Sequence, residues 1–97
     1  MTKSKAYQAD LIESLRDPRE AEEYLNAALE EEDPELFLLA LRNVAEAQGG
    51  VAQLAEKTKL NRESLYKMLS QRGNPELRSL DALLHALGFR LAVTAAR

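Results

Sequence analysis

The stretch VAQLAEKTKLNRESLYKMLS, residues 51–70, decides how this chain folds. Its apolar spacing predicts two short helices joined at a tight corner, Thr58-Lys59-Leu60. Asn61 is suited to cap the second helix, because its side-chain oxygen accepts a hydrogen bond from a free backbone amide. On a helical wheel the apolar residues of that second helix share one face, and these are Leu65, Met68 and Leu69. The stretch therefore predicts a helix-turn-helix whose second helix presents its polar face outward, as a DNA-reading helix does.

The corner and the start of this stretch depart from the usual helix-turn-helix pattern. Lys59 occupies the corner position where glycine is common, at a cost of about 1 kcal/mol if the residue adopts a left-handed conformation. Val51 stands at the first position, which is often Gln. The small Ala55 allows the two helices to cross closely. An ordinary pair of packed helices would share the same apolar pattern and remains the alternative.

The predicted DNA contacts lie mainly on the polar face of the second helix. Arg62 is expected to pair with a guanine edge or a phosphate, and the alternative is a solvated charge at a helix start. Lys67 and Ser70 suit base edges or phosphates. The full predicted set is Gln53, Asn61, Arg62, Glu63, Ser64, Tyr66, Lys67 and Ser70.

Three members of that set have more specific expected roles. Glu63 could accept a hydrogen bond from a cytosine amino group, but a salt bridge to Lys67 four residues on is the favoured interpretation. Tyr66 is expected to be half-buried, with its hydroxyl reaching a phosphate. Gln53 is expected to bind phosphate through its amide near the free N–H groups of the first helix.

The composition favours one soluble helical domain in the cytoplasm. The 97 residues contain no cysteine, which excludes disulfides, thiolate metal sites and a cysteine nucleophile. No apolar run approaches the roughly 20 residues of a membrane span, and no signal-peptide core is visible, so no membrane partner is expected.

The net charge of −3 conceals a strong asymmetry. Residues 1–50 carry a net charge of −7, whereas residues 51–97 carry +4. Because phosphate affinity depends on where positive charge lies, a basic half that meets DNA and an acidic half that meets another partner are predicted. The acidic helix over residues 19–31 is either a solvated face or a docking surface for a cationic partner.

Turn and capping signals divide the rest of the chain. Residues 1–16 form an N-terminal arm, and residues 17–97 form a single domain. Asp17-Pro18 and Asp33-Pro34 each predict a helix start, and Gly49-Gly50 ends the second of these helices. Ser79 is predicted to cap a leucine-rich final helix that closes at Gly88. The alternating residues 89–95 predict a short β-strand that needs a partner from the N-terminal arm or another copy of the chain.

The sequence shows no catalytic constellation, so an enzyme is not expected. His85 is the only histidine, and it is predicted to be structural. No nucleotide-binding or nucleophile motif occurs, and the carboxylates are scattered over solvated faces. We therefore expect no metal ion, no cofactor and no small-molecule substrate.

The chain resembles the probable addiction-module antidote proteins, small Cro/C1-type helix-turn-helix antitoxins of bacterial type II toxin–antitoxin pairs. The resemblance covers about residues 17–94. It is carried by Glu23-Tyr24-Leu25-Asn26-Ala27-Ala28-Leu29, Asp33-Pro34, Leu65-Tyr66-Lys67, Leu69-Ser70, Gly73-Asn74-Pro75 and Ala86-Leu87-Gly88. It implies an antitoxin that binds a RelE/ParE-like toxin and represses its own operon.

These observations together predict an all-α, Cro/C1-repressor-like helix-turn-helix bundle of about five helices with a short C-terminal strand. The expected protein binds operator DNA as a homodimer, because one reading helix has a small footprint and such modules usually bind two half-sites. The strand at 89–95 and the final helix are the predicted dimer interface. The alternative is a toxin-neutralising interaction module with little DNA affinity of its own.

Overall fold

A computed structural model describes the backbone of residues 2–70 and 73–96 and the side chains from residue 6 onward over the same ranges. The described chain folds into six α-helices. They are α1 (Thr2–Ser14), α2 (Pro18–Glu30), α3 (Pro34–Ala47), α4 (Val51–Thr58), α5 (Arg62–Met68) and α6 (Leu77–Ala86).

Helices α2 and α3 form the most extensive helix pair of the fold, and each begins where its Asp-Pro pair predicts. The Asp17 carboxylate accepts a hydrogen bond from the Arg19 amide at 2.9 Å, and the Asp33 carboxylate accepts one from the Glu35 amide at 3.0 Å. Proline at the first helical position needs no hydrogen-bond acceptor for its nitrogen. Capping and proline therefore fix both starts locally, before any tertiary packing.

One apolar core joins residues from most of the helices. Its largest fully buried side chains come from the end of the N-terminal arm and from α3, α5 and α6, and they are Leu15, Leu41, Val44, Leu65 and Leu83. Burying one such side chain stabilises the fold by about 1.5–3 kcal/mol. Helix α1 also packs on α3, so the N-terminal arm contributes to the same core as the rest of the chain.

The α4–α5 pair follows the predicted boundaries of residues 51–70. Lys59 adopts the left-handed conformation, with φ 62° and ψ 16°, and its amide donates to the Ala55 carbonyl at 3.0 Å. The Thr58 hydroxyl supports the corner, because it donates to the Leu54 carbonyl at 2.9 Å and accepts from the Leu60 amide at 3.2 Å. Helix α4 also packs against α6 and α3, which fixes the pair to the bundle.

The C-terminal strand predicted at residues 89–95 is wrong, because residues 89–96 form no strand in the described structure. Helix α6 ends at Ala86, and Leu87 is its C-cap. Gly88 follows with a φ of 90°, and its amide donates to the His85 carbonyl at 3.0 Å. The Phe89 amide then donates to the Leu84 carbonyl at 2.7 Å, which completes a Schellman motif. A strand needs a neighbouring strand for its hydrogen bonds, and no described segment of this chain supplies one.

The start of α6 also differs from the prediction. The helix begins at Leu77, two residues before Ser79, and Glu76 is the N-cap without a side-chain hydrogen bond. Pro75 lies just before this cap, so the chain turns into the helix earlier than the Ser79 signal indicated.

Candidate nucleic-acid interface

Helix α5 has the two faces that its sequence predicts. The Asn61 side-chain oxygen caps the helix by accepting from the Ser64 amide at 3.0 Å. Leu65, Met68 and Leu69 are buried beneath it. Packing against the core therefore fixes the rotation of α5 about its axis and directs its polar face to solvent.

Seven of the eight predicted DNA contacts are exposed, and the eighth, Ser70, is half-buried. Tyr66 exposes 52% of its surface. Gln53 lies on α4, and its side chain folds back over Gly49, where a Cβ would meet the Gln53 amide oxygen. Glycine at position 49, with φ 112°, thus leaves room for the Gln53 side chain.

Internal hydrogen bonds restrict what Asn61 and Ser70 can offer to a ligand. The Asn61 oxygen is used by the helix cap, so its amide nitrogen is the group left to donate outward. The Ser70 hydroxyl donates to the Lys67 carbonyl at 2.7 Å. Its proton is therefore already used, and Ser70 would have to break this bond to donate to a phosphate.

The predicted Glu63–Lys67 salt bridge is wrong. The ion pairs among the described side chains join Glu13 to Arg16 at 3.4 Å and Asp81 to His85 at 3.6 Å. Holding two long exposed side chains together loses rotamer entropy for a small gain in water, which explains why the pair does not form. The Lys67 ammonium and the Glu63 carboxylate are consequently both solvated on the polar face of α5.

An open groove of about 600 Å³ runs beside the polar face of α5. It lies between this helix and the chain that leads into α6. Its lining residues are Leu60, Ser64, Lys67, Met68, Ser70, Gly73, Asn74, Pro75, Glu76 and Ser79. Sequence reasoning missed this groove, because it forms only where the chain turns back after α5.

Gly73 allows the chain that follows α5 to pass close to the backbone at the end of that helix. Its amide donates to the Ser70 carbonyl at 2.9 Å, and a Cβ at this position would collide with the Met68 carbonyl oxygen. The Gly-Asn-Pro sequence was the signal for this turn, although it did not indicate that a groove would form there.

His85 lies on the exposed side of α6, with its Nδ1 atom 3.6 Å from the Asp81 carboxylate. This acidic partner, one helical turn earlier, was not predicted from the sequence. Within residues 6–70 and 73–96, no cluster of His, Cys, Asp or Glu side chains is arranged to hold a metal ion.

The architecture is that of a small helical protein with an exposed, capped helix over a leucine core, and comparison with known proteins gives its family. Residues 5–95 match the family model described as "Probable addiction module antidote protein". The chain belongs to this family, and the resemblance seen in its sequence is thereby confirmed.

A relative from Haemophilus influenzae strain Rd, described as an uncharacterized protein, is 36% identical over 88 residues. The alignment covers 91% of this chain and 90% of the relative. No solved structure matches the chain.

Family membership gives the general role. An antidote belongs to a toxin–antitoxin module and has a toxin as its partner, and such proteins are generally non-enzymatic regulators. Among the described residues, none of the six helices has the length and hydrophobicity of a transmembrane segment.

Proposed function

We propose that this antidote binds the promoter DNA of its own operon as a homodimeric repressor and neutralises a RelE/ParE-like toxin of a type II module. In this proposal the α4–α5 pair is a Cro/C1-like helix-turn-helix, and α5 lies in the major groove of the operator. The DNA contacts would come from the predicted set on α5 together with Gln53.

The exposed polar face of α5 carries the proposal. Arg62 begins the helix and Lys67 follows within it, both exposed, while the leucine face beneath them is buried. An arginine at this position can donate two hydrogen bonds to a guanine edge, which discriminates against other bases by about 1–3 kcal/mol. A helix can enter the major groove of DNA when its apolar face is buried against the protein and its basic face is exposed to solvent.

The charge distribution supports the same face. Between Lys57 and Arg78 the sequence has six basic residues and only two acidic ones. Favourable phosphate contact depends on this local excess, so the overall charge of −3 does not oppose DNA binding at this end of the chain.

The dimer in this proposal follows from the size of the footprint. Two reading helices normally contact half-sites about 34–36 Å apart. The described chain has one α5, so two copies are needed to contact two half-sites. Leu91 and Val93 are exposed in the C-terminal segment, and this segment with α6 is our candidate interface.

The second candidate function is toxin neutralisation with little DNA affinity. Two observations favour it: Glu20, Glu22 and Glu23 lie exposed on α2, and the Lys59 corner is strained. An acidic helix would attract a cationic toxin surface through long-range electrostatics.

The two candidates are separated by binding to a labelled duplex from the chain's own promoter, with a shuffled duplex of equal length and composition as the control. The repressor proposal predicts a complex with the promoter that is tighter than with the shuffled duplex and weakens as salt is added. Equal, weak binding to both duplexes would leave the interaction module as the function.

A further inference from the structure

The segment after α6 leaves apolar side chains without cover. Beyond Phe89, which packs partly against the core, Leu91 is 44% exposed and Val93 is 98% exposed. Residues 90–96 make no backbone hydrogen bond within the described chain. We call residues 89–96 the tail. Apolar side chains alternate with other residues along it, and residues 90–96 have unused backbone donors and acceptors.

A separate groove opens between α3 and the end of α5. Leu36 and Leu39, one turn apart on α3, are 37% and 50% exposed there, and the buried Leu69 is the third leucine of its lining. The groove has a volume of about 360 Å³, and its polar lining is Asp33, Glu35 and Arg42. We call this the α3 groove.

We propose that the tail of a second copy of the chain lies in the α3 groove, with its apolar side chains on the groove leucines. This inference rests on the proposed dimer and adds to its candidate interface the α3 groove as the surface that receives the tail. Leu91 and Val93 would cover Leu36 and Leu39, and the Arg42 guanidinium would donate to carbonyls of the extended tail.

Charge complementarity favours the tail as the occupant. After Asp81 the sequence contains no acidic residue and carries Arg90 and Arg97. The acidic residues that line the groove are Asp33 and Glu35. A tail that carries Arg90 and a groove that carries Asp33 and Glu35 beside its leucines attract each other, and the same charges disfavour an acidic partner.

The reach of the tail fits an exchange between two copies. Eight extended residues span at most about 26–29 Å, which is comparable to the dimensions of the chain. Within one copy the tail and the α3 groove both stay uncovered. In a dimer with a two-fold axis, each copy places its tail in the partner's groove and holds the partner's tail in its own. Two equivalent contacts then form for every dimer.

Sedimentation velocity of three variants tests this inference. Leu39→Asp places a charge in the groove, and Val93→Asp places one on a tail residue whose exposure makes the fold insensitive to it. Leu39→Asp and Val93→Asp should each raise the dimer dissociation constant at least tenfold. The control Leu29→Asp changes a leucine of similar exposure, 54%, outside the groove and should leave the dimer unchanged.

An equimolar mixture of Leu39→Asp and Val93→Asp gives the sharper result. The tail of the first variant and the groove of the second are both intact, so the mixture should form a heterodimer that neither variant forms alone as a homodimer. Arg90→Glu, which lies in the tail and leaves the core untouched, should weaken the dimer as well. Circular dichroism checks that every variant is folded.

The contrary outcomes are distinguishable. If the Leu39→Asp variant dimerises as tightly as the wild type, the α3 groove does not hold the tail. The tails would then pair with each other, or the groove would bind the toxin. A mixture that behaves as two separate monomers overturns the exchange. A wild-type chain that stays monomeric at high micromolar concentration removes the proposed dimer itself, and this inference with it.

Discussion

Lys59 shows how one residue can be strained without disturbing the helices on either side. Its φ of 62° lies in the region that glycine occupies freely and that a side chain disfavours. The sequence made this strain foreseeable, since a lysine stood where the corner needs a left-handed residue. The structure keeps the corner, so the strain is tolerated rather than avoided.

Replacing Lys59 with glycine should therefore stabilise the protein by about 0.5–1 kcal/mol, because the Cβ penalty disappears while the corner stays the same. Urea denaturation measures the change. Lys59→Ala is the control, since it removes the charge and the long side chain but keeps the Cβ, and it should give no such gain. Equal effects of the two variants would show that conformation is not the cause.

Asn43 is the residue-scale feature that the sequence did not reveal. It is only 7% exposed on α3, where its amide donates to the Tyr24 hydroxyl at 2.8 Å and accepts from Gln8 at 3.1 Å. These two hydrogen bonds join α1, α2 and α3. An asparagine within a helix usually faces solvent, and its burial here depends on two distant segments that meet at one point.

Asn43→Ala should lower the free energy of unfolding by about 1–3 kcal/mol, because it removes both hydrogen bonds and leaves the Tyr24 hydroxyl without its amide partner. Thermal or urea denaturation provides the measurement. Gln8→Ala is the matched control, since Gln8 is exposed and can be replaced by water. If Asn43→Ala cost no more than Gln8→Ala, the buried network would have no special importance.

At the scale of elements, local signals predicted the helices and failed where a partner was needed. Asp-Pro pairs, the Asn61 cap and paired glycines act within one turn of the chain, so they could be found by inspection. The strand at 89–95 could not be decided this way, because strand hydrogen bonds come from another segment. The groove beside α5 could not be predicted for the same reason, since it depends on the close approach of Gly73 to the backbone of Lys67 and Met68.

The acidic face of α2 gives a prediction at this scale. Changing Glu20, Glu22 and Glu23 to Lys should weaken the complex with the toxin at least tenfold, because the long-range attraction for a cationic surface becomes repulsion. Isothermal titration calorimetry with the purified toxin provides the measurement.

The control for α2 reverses the same number of charges elsewhere. Asp10, Glu46 and Glu56 are exposed on α1, α3 and α4, so changing them to Lys alters the net charge equally. This control variant should lose much less affinity for the toxin than the α2 variant does. If the two triple variants bind the toxin equally well, the face of α2 is only a solvated surface.

The whole molecule is electrically divided, and this division links its two proposed activities. The half that carries α1, α2 and α3 has a net charge of −7, and the half that carries α4, α5 and α6 has +4. A division of this kind lets one chain approach a polyanion with one end while the other end stays free for a cationic protein. Sequence alone was enough to find this asymmetry, because it needs only the order of the charges.

Contact between the face of α5 and operator DNA is tested by the affinity for the promoter duplex, measured over a range of salt concentrations. Arg62→Ala and Lys67→Ala should each weaken promoter binding by roughly 5- to 150-fold if they contact base edges, corresponding to about 1–3 kcal/mol. A contact to phosphate would instead reduce the slope of log affinity against log salt by about 0.9. The control Arg19→Ala removes the same charge from the exposed surface of α2 and should change neither quantity. If Arg62→Ala and Lys67→Ala bind the promoter as Arg19→Ala does at every salt concentration, α5 does not contact DNA.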